Sequence, residues 1–237
     1  MTDLVVALDV PDLDAGRRLL DQLCPVVGYF KVGSALFTAA GPQAVREVQD
    51  RGARVFLDLK FHDIPHSVEQ AAAAAAALGV WMFDVHACGG REMMGRAAAS
   101  ARRAAGRPPL VVGVTALTSA DSATLRGVGV VEEPSTYALR LAHLAQAAGL
   151  DGVVCSVHEV AAVKERCGRD FLAVVPGVRP RQVAGDDQVR TGSLREAVRA
   201  GADYVVVGRP IVHAADPAAV ARATVEALDM LASRRRA

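Results

Sequence analysis

A (β/α)₈ barrel built as one domain over residues 1–237 is the fold class this sequence predicts. Short β-branched runs recur along the whole chain, and each is followed by a segment of helix formers. A length of 237 residues is one at which α/β barrels commonly form a single domain. Alternating strands and helices imply a parallel sheet, and eight such units favour closure over an open doubly wound sheet. The open alternative also lacks a GxGxxG turn after the first strand.

The strand runs fall at residues 4–10, 29–34, 54–60, 80–87, 110–117, 152–157, 171–178 and 204–208. Helical segments follow them at 13–23, 42–51, 67–78, 91–105, 135–148, 159–166, 194–200 and 217–231. The alanine run from Ala71 to Ala77 looks like low complexity. It follows Pro65 and a Ser67-x-x-Gln70 capping-box pattern and ends at Gly79, so a tightly packed helix accounts for it.

Composition excludes several classes. The net charge is +1 with acids and bases interspersed, and aromatic residues make up 4%; neither a basic stripe nor a stacking platform for nucleic acid is present. The run Arg234-Arg235-Arg236 reads as a solvated helix end. The start, Met1-Thr2-Asp3 and then Leu4-Val5-Val6-Ala7-Leu8, has neither the basic region nor the cleavage site of a signal peptide. No apolar stretch approaches membrane-spanning length, so a cytoplasmic protein is expected. Cys24, Cys88, Cys155 and Cys167 show no zinc or disulfide spacing. They read as small, partly buried hydrophobes.

Active sites of such barrels lie at the C-terminal ends of the strands. The polar residues closing the runs are Asp9, Lys31, Asp58 with Lys60, Asp84 with His86, Thr115 to Thr118, Ser156, Arg179 and Arg209. The stretch Asp58-Leu59-Lys60-Phe61-His62-Asp63 is the most informative. Residues two apart on a strand share a face, so Asp58 and Lys60 point the same way. Of 27 basic residues, Lys31, Lys60 and Lys164 alone are lysine, and only lysine among them can readily give up a proton. A salt-bridged rim that merely orders a loop is the plainer explanation, and the barrel mouth favours the functional one.

A Schiff-base role needs a neutral amine, whereas carboxylates beside Lys60 favour the ammonium. An ammonium between carboxylates suits protonation of a carbanion, and a fixed anion disfavours a substrate carboxylate beside it. Preorganised stabilisation of the carbanion is the safer description. Decarboxylation, or a related carbanion reaction, is the expected chemistry.

A phosphate is expected too. The polar connection from Arg179 to Ser193 has the length of a lid or binding loop. Gly208-Arg209-Pro210 closes the last strand, where glycine permits close backbone approach to an anion and arginine forms forked pairs. The loops after the seventh and eighth strands are the habitual phosphate site of this architecture. Asp9, just before Pro11, either serves the site or caps the next helix. His86 is either a hydrogen-bonded core histidine or a ligand.

Together these motifs resemble the orotidine 5′-phosphate decarboxylase family over nearly the whole chain. The resemblance runs through Val6-Ala7-Leu8-Asp9, Phe30-Lys31-Val32-Gly33, the segment from Phe56 to Pro65, the segment from Val114 to Ser119, Pro176-Gly177-Val178-Arg179-Pro180 and Val207-Gly208-Arg209-Pro210. It implies a cofactor-free, metal-free decarboxylase that forms UMP, working as a homodimer with sites at the shared interface. It implies that Lys60 protonates C6 of the pyrimidine, Asp58 sits by the departing carboxylate, and Lys31 links Asp58 to the ribose. Asp63 would reach the partner's site. Asp9 would bind the ribose hydroxyls, Thr118 and Ser156 the pyrimidine edge, and Arg179, Gln188, Gly208 and Arg209 the phosphate and its loop. His66-Ser67 replaces the usual Asn-Thr, and Asp84 stands where many members have Asn.

Two rivals keep the barrel. A Mg²⁺-dependent sugar-phosphate enzyme, either a 3-keto-gulonate-phosphate decarboxylase or a hexulose-phosphate synthase, has a similar Asp-x-Lys-x-x-Asp motif. A noncatalytic phosphometabolite-binding protein is the other, although such a protein has no need to keep Lys31, Asp58, Lys60 and Asp63 together.

Overall fold

The computed structural model describes residues 2–179 and 192–236, with the main chain alone at Arg179 and at 234–236. The first half runs β1 (Asp3–Ala7), α1 (Leu13–Leu23), β2 (Tyr29–Gly33), α2 (Ser34–Ala40), α3 (Gln43–Gln49), β3 (Arg54–Phe61), α4 (Pro65–Ala77) and β4 (Met82–His86). After a 3₁₀ turn at Ala87–Gly89 come α5 (Arg91–Arg102), β5 (Leu110–Val114), α6 (Ser122–Gly127), α7 (Pro134–Ala147), β6 (Gly152–Val154), α8 (Val157–Cys167) and β7 (Leu172–Val175). The remainder is β8 (Val178–Arg179), β9 (Gly192–Ser193), α9 (Leu194–Ala200), β10 (Tyr204–Val207), α10 (Arg209–Val212) and α11 (Pro217–Arg236).

Eight parallel strands close in the order β1-β10-β7-β6-β5-β4-β3-β2, and β8 pairs with β9 in a separate two-stranded sheet. The barrel matches the expected fold class. Among the described residues, no helix is long and apolar enough to cross a membrane.

Strand alternation sorts the side chains into an inner and an outer set. Outward residues such as Val6, Phe30, Leu57, Phe83 and Val205 pack on the helices. Inward residues Val5, Ala7, Phe56, Met82, Val112, Val174 and Val206 fill the barrel. Below them Tyr29, Trp81 and Tyr204 plug the N-terminal end, with ring centroids 4.6 Å apart for Tyr29 and Trp81 and 4.9 Å for Trp81 and Tyr204. With the bottom plugged and the middle packed, polar inward positions remain only towards the C-terminal mouth.

Local chemistry sets the helix starts. Asp12, not Asp9, caps α1, accepting from the Ala15 N–H at 2.8 Å, a contact of roughly 1 kcal/mol. The Ser67 capping box does not form, because α4 begins two residues earlier with Pro65 in its first turn and Ile64 as an N-cap without a side-chain bond. Proline's fixed φ favours that first position. The alanine run does mark close packing: Ala72 and Ala75 are buried, and the Ser100 hydroxyl of α5 donates to the Glu69 carbonyl at 2.9 Å.

Several expected strands end early. Leu8, Val10, Ala116 and Val157 lie beyond the strand ends yet remain buried, so apolar character at the mouth reflects burial under loops rather than ladder pairing. Helices α2, α6 and α10 and the β8–β9 sheet were not expected; they are short elements inside the strand–helix connections.

Candidate active site

The inward positions above the packed middle layer converge at a cavity of about 430 Å³, within the usual range for small-molecule sites. Its wall includes Asp9, Lys31, Asp58, Lys60, Leu117, Thr118, Gly208, Arg209 and His213. All but His213, which follows the short helix α10, come from a strand's C-terminal half or the segment directly after it.

Its charged centre is a chain of alternating ions. The Lys31 ammonium lies 2.9 Å from Asp9 Oδ1 and 3.1 Å from Asp58 Oδ2. The Lys60 ammonium donates to Asp58 Oδ1. Only 11% of the Asp58 side chain is exposed. Burial alone would raise its pKa, and Lys31, Lys60 and a hydrogen bond with Asp84 outweigh it, holding the carboxyl well below the ordinary range. For Lys31 burial disfavours the ammonium, and Asp58 with Asp9 reverses that, raising its pKa.

The strand carrying these groups is not regular. Leu57 pairs with Phe83 of β4, and the next pair is Phe61 with Val85, so three residues of β3 face Asp84 alone. Within this bulge Lys60 adopts φ 51°, the one non-glycine residue with positive φ among those described. A side chain in that region carries of order 1–3 kcal/mol of strain, and such strain clusters at functional sites. The Lys60 N–H donates to Asp84 Oδ1 at 2.8 Å. Nearby, a Cβ on Gly33 would come within 2.9 Å of the Lys31 ammonium, which explains the small residue there.

Residues 2–224 match the Orotidine 5'-phosphate decarboxylase / HUMPS family. The chain belongs to this family. The orotidine 5′-phosphate decarboxylase of Moorella thermoacetica is 52% identical over 233 residues, covering 96% of this chain and 92% of the relative. That of Halorhodospira halophila is 54% identical over 220 residues, 93% of each chain. The crystal structure of orotidine 5′-phosphate decarboxylase from Lactobacillus acidophilus has a TM-score of 0.86 at 34% identity, covering 97% of this chain and all of that one.

Most positions that the family resemblance singles out meet at the cavity. Asp9, Lys31, Asp58, Lys60, Thr118, Gly208 and Arg209 line it. Ser156 does not join that lining; fully buried, it is the N-cap of α8, its hydroxyl accepting from the His158 N–H while its own N–H donates to Glu159 at 2.7 Å. Gln188 and the side chain of Arg179 lie outside the described residues. Asp63 is exposed and away from the cavity wall, its carboxylate accepting from the Ile64 N–H at 2.6 Å.

His86 sits beside His62, ring centroids 5.4 Å apart. Burial first, then His62 and Lys60, lowers its pKa, and it does not line the cavity. His213 lines the cavity and was not singled out from the sequence. It stands four residues after Arg209, one helical turn on, in a helix too short for that spacing to be read as helical from the sequence.

Proposed function

We propose that this chain converts orotidine 5′-phosphate to UMP and CO₂ in pyrimidine biosynthesis, in the cytoplasm and without a cofactor. The observation that carries the reading is the Lys31–Asp58–Lys60 ion array at the cavity wall, in a chain belonging to a decarboxylase family.

With the substrate carboxylate beside Asp58, the bond from C6 to the carboxyl carbon breaks, CO₂ leaves, and its electron pair stays on C6. The Lys60 ammonium stabilises that carbanion and then gives it a proton, forming UMP; water later restores the amine's proton. Because both ammonium groups are fixed before reaction, little reorganisation accompanies the charge shift. Asp9 and Lys31 would hold the ribose, and Thr118 the pyrimidine edge. Gly208, Arg209 and the segment bearing Arg179 and Gln188 would take the phosphate. Binding energy from that nonreacting group can drive closure around the reacting centre.

The Mg²⁺-dependent rival would need carboxylate donors, and both Asp58 oxygens already face ammonium groups. Absorbance assays with orotidine 5′-phosphate should therefore show turnover unchanged by EDTA. Loss of turnover in chelator, restored by Mg²⁺, would overturn the metal-free reading.

The proposed partner is a second copy of this chain that receives Asp63. Asp63 is exposed beside Ile64, a residue 65% exposed, which suits a loop covered by another subunit. Lys60→Ala and Asp63→Ala proteins are each expected to be weak alone. After subunit exchange about a quarter of wild-type sites should reappear, since half the dimers are hybrid and each hybrid has one intact site. No recovery despite exchange, followed by mass-tagged subunits, would place Asp63 in its own chain's site.

A further inference from the structure

We propose that Asp84 works as a neutral carboxylic acid that positions both charged partners of the site: one oxygen holds the Lys60 main chain, and the other donates a proton to Asp58. The inference rests on the decarboxylase reading for its kinetic consequence and on geometry for its substance.

Where β3 bulges, Asp58, Leu59 and Lys60 have only Asp84 opposite them on β4. The Lys60 N–H has therefore lost a strand carbonyl, and Asp84 Oδ1 replaces it at 2.8 Å. A buried N–H left unmet would be costly, and this one belongs to the residue with φ 51°. The Asp84 side chain thus holds the strained turn that aims the Lys60 ammonium.

The second oxygen shows what form the acid takes. Asp84 is 1% exposed, and among the described residues its Oδ2 meets no donor. Its carboxyl stands beside Asp58 across the β3–β4 pairing, one residue after the Leu57–Phe83 pair, and the Asp58 oxygens already accept from Lys31 and Lys60. Two buried carboxylates in contact repel unless one holds a proton. Asp58 has two cations to keep it ionised, so the proton belongs on Asp84.

The surroundings agree. Asp58 and Lys60 face Asp84 from β3, Lys31 stands beyond Asp58 on β2, and β5 presents Val112 in register with it. His86, two residues on along β4, has a lowered pKa. Burial, with the Asp58 charge adding to it, pushes the Asp84 carboxyl well above its ordinary value. A neutral acid in this place acts as an amide would, accepting through one atom and donating through the other.

The comparison is Asp84→Asn against Asp84→Leu. The amide keeps both contacts, so kcat is expected within about threefold of wild type; leucine keeps volume alone, and kcat should fall about 100-fold through misplacement of Lys60. Two readouts need no substrate and separate this idea from the decarboxylase reading. The infrared difference between wild type and Asp84→Asn near neutral pH should contain a protonated carboxyl C=O band that shifts in D₂O. The melting temperature of Asp84→Asn should rise relative to wild type from about pH 5 to about pH 8, because only wild type must keep a proton that the unfolded chain releases. A lost carboxylate band in place of the acid band, a pH-independent gap, or an inactive Asp84→Asn protein that still binds UMP would overturn the proposal. So would wild-type kcat in a folded Asp84→Leu protein.

Discussion

Lys60→Ala should lower kcat for orotidine 5′-phosphate by at least about 10⁴-fold while UMP still binds. Positioned proton transfer contributes about 10²–10⁴-fold and fixed electrostatic stabilisation of developing charge about 10²–10³-fold. One ammonium supplies both, so the losses overlap without cancelling. The backbone argues that the effect is chemical: alanine at φ 51° carries strain similar to that of lysine, and the Lys60 N–H that donates to Asp84 is retained. Asp58 keeps Lys31 at 3.1 Å, so the rest of the array persists. UMP lacks the carboxylate, and its affinity by calorimetry should change little. Lys60→Arg should not rescue, since guanidinium keeps its proton at any accessible pH. Unimpaired turnover by Lys60→Ala would remove Lys60 from the mechanism.

The same residue marks how far the sequence could be read. The β-branched runs were enough for eight strands because they depend on local periodicity alone; Asp58 and Lys60 do meet, as their spacing of two suggested, but through a bulge and not through regular alternation. The bulge depends on how β3 pairs with β4, a nonlocal property, so neither the positive φ of Lys60 nor the burial of Asp84 could be read from either segment. Capping shows a subtler failure. Ser67-x-x-Gln70 and Ser156-x-x-Glu159 are equivalent patterns, yet only the second forms a capping box, because Pro65 starts α4 before Ser67 can cap it. The serine that closes the sixth strand, Ser156, is thus also the N-cap of α8, a role that its place at a strand end did not announce. His213 escaped notice because α10 is four residues long, too short to announce the face it shares with Arg209.

Asp58→Ala should be the other severe variant, for a reason that reaches stability as well as rate. Its carboxylate accepts from Lys31 and Lys60 together. Removing it leaves Lys31, with 11% of its side chain exposed, dependent on Asp9 alone. Breaking a buried pair in this way costs about 3 kcal/mol, and kcat should fall about 10³-fold as both ammonium groups lose their anchor. The stability loss has a defined pH course. The folded Asp58 pKa lies below its ordinary value of 3.8, so its contribution is fully present above that value and is lost as pH falls towards the folded pKa. Wild-type and Asp58→Ala melting temperatures should accordingly differ most near neutral pH and converge in acid; a constant gap would mean that Asp58 stabilises by packing rather than charge. Asp58→Asn separates its two effects on the reaction. If the negative charge opposes the substrate carboxylate, the amide variant should be nearly as slow as Asp58→Ala yet bind orotidine 5′-phosphate more tightly relative to UMP than wild type does. An unchanged ratio of the two affinities would instead restrict Asp58 to holding Lys31 and Lys60 in place, leaving carbanion stabilisation as the whole of the array's contribution.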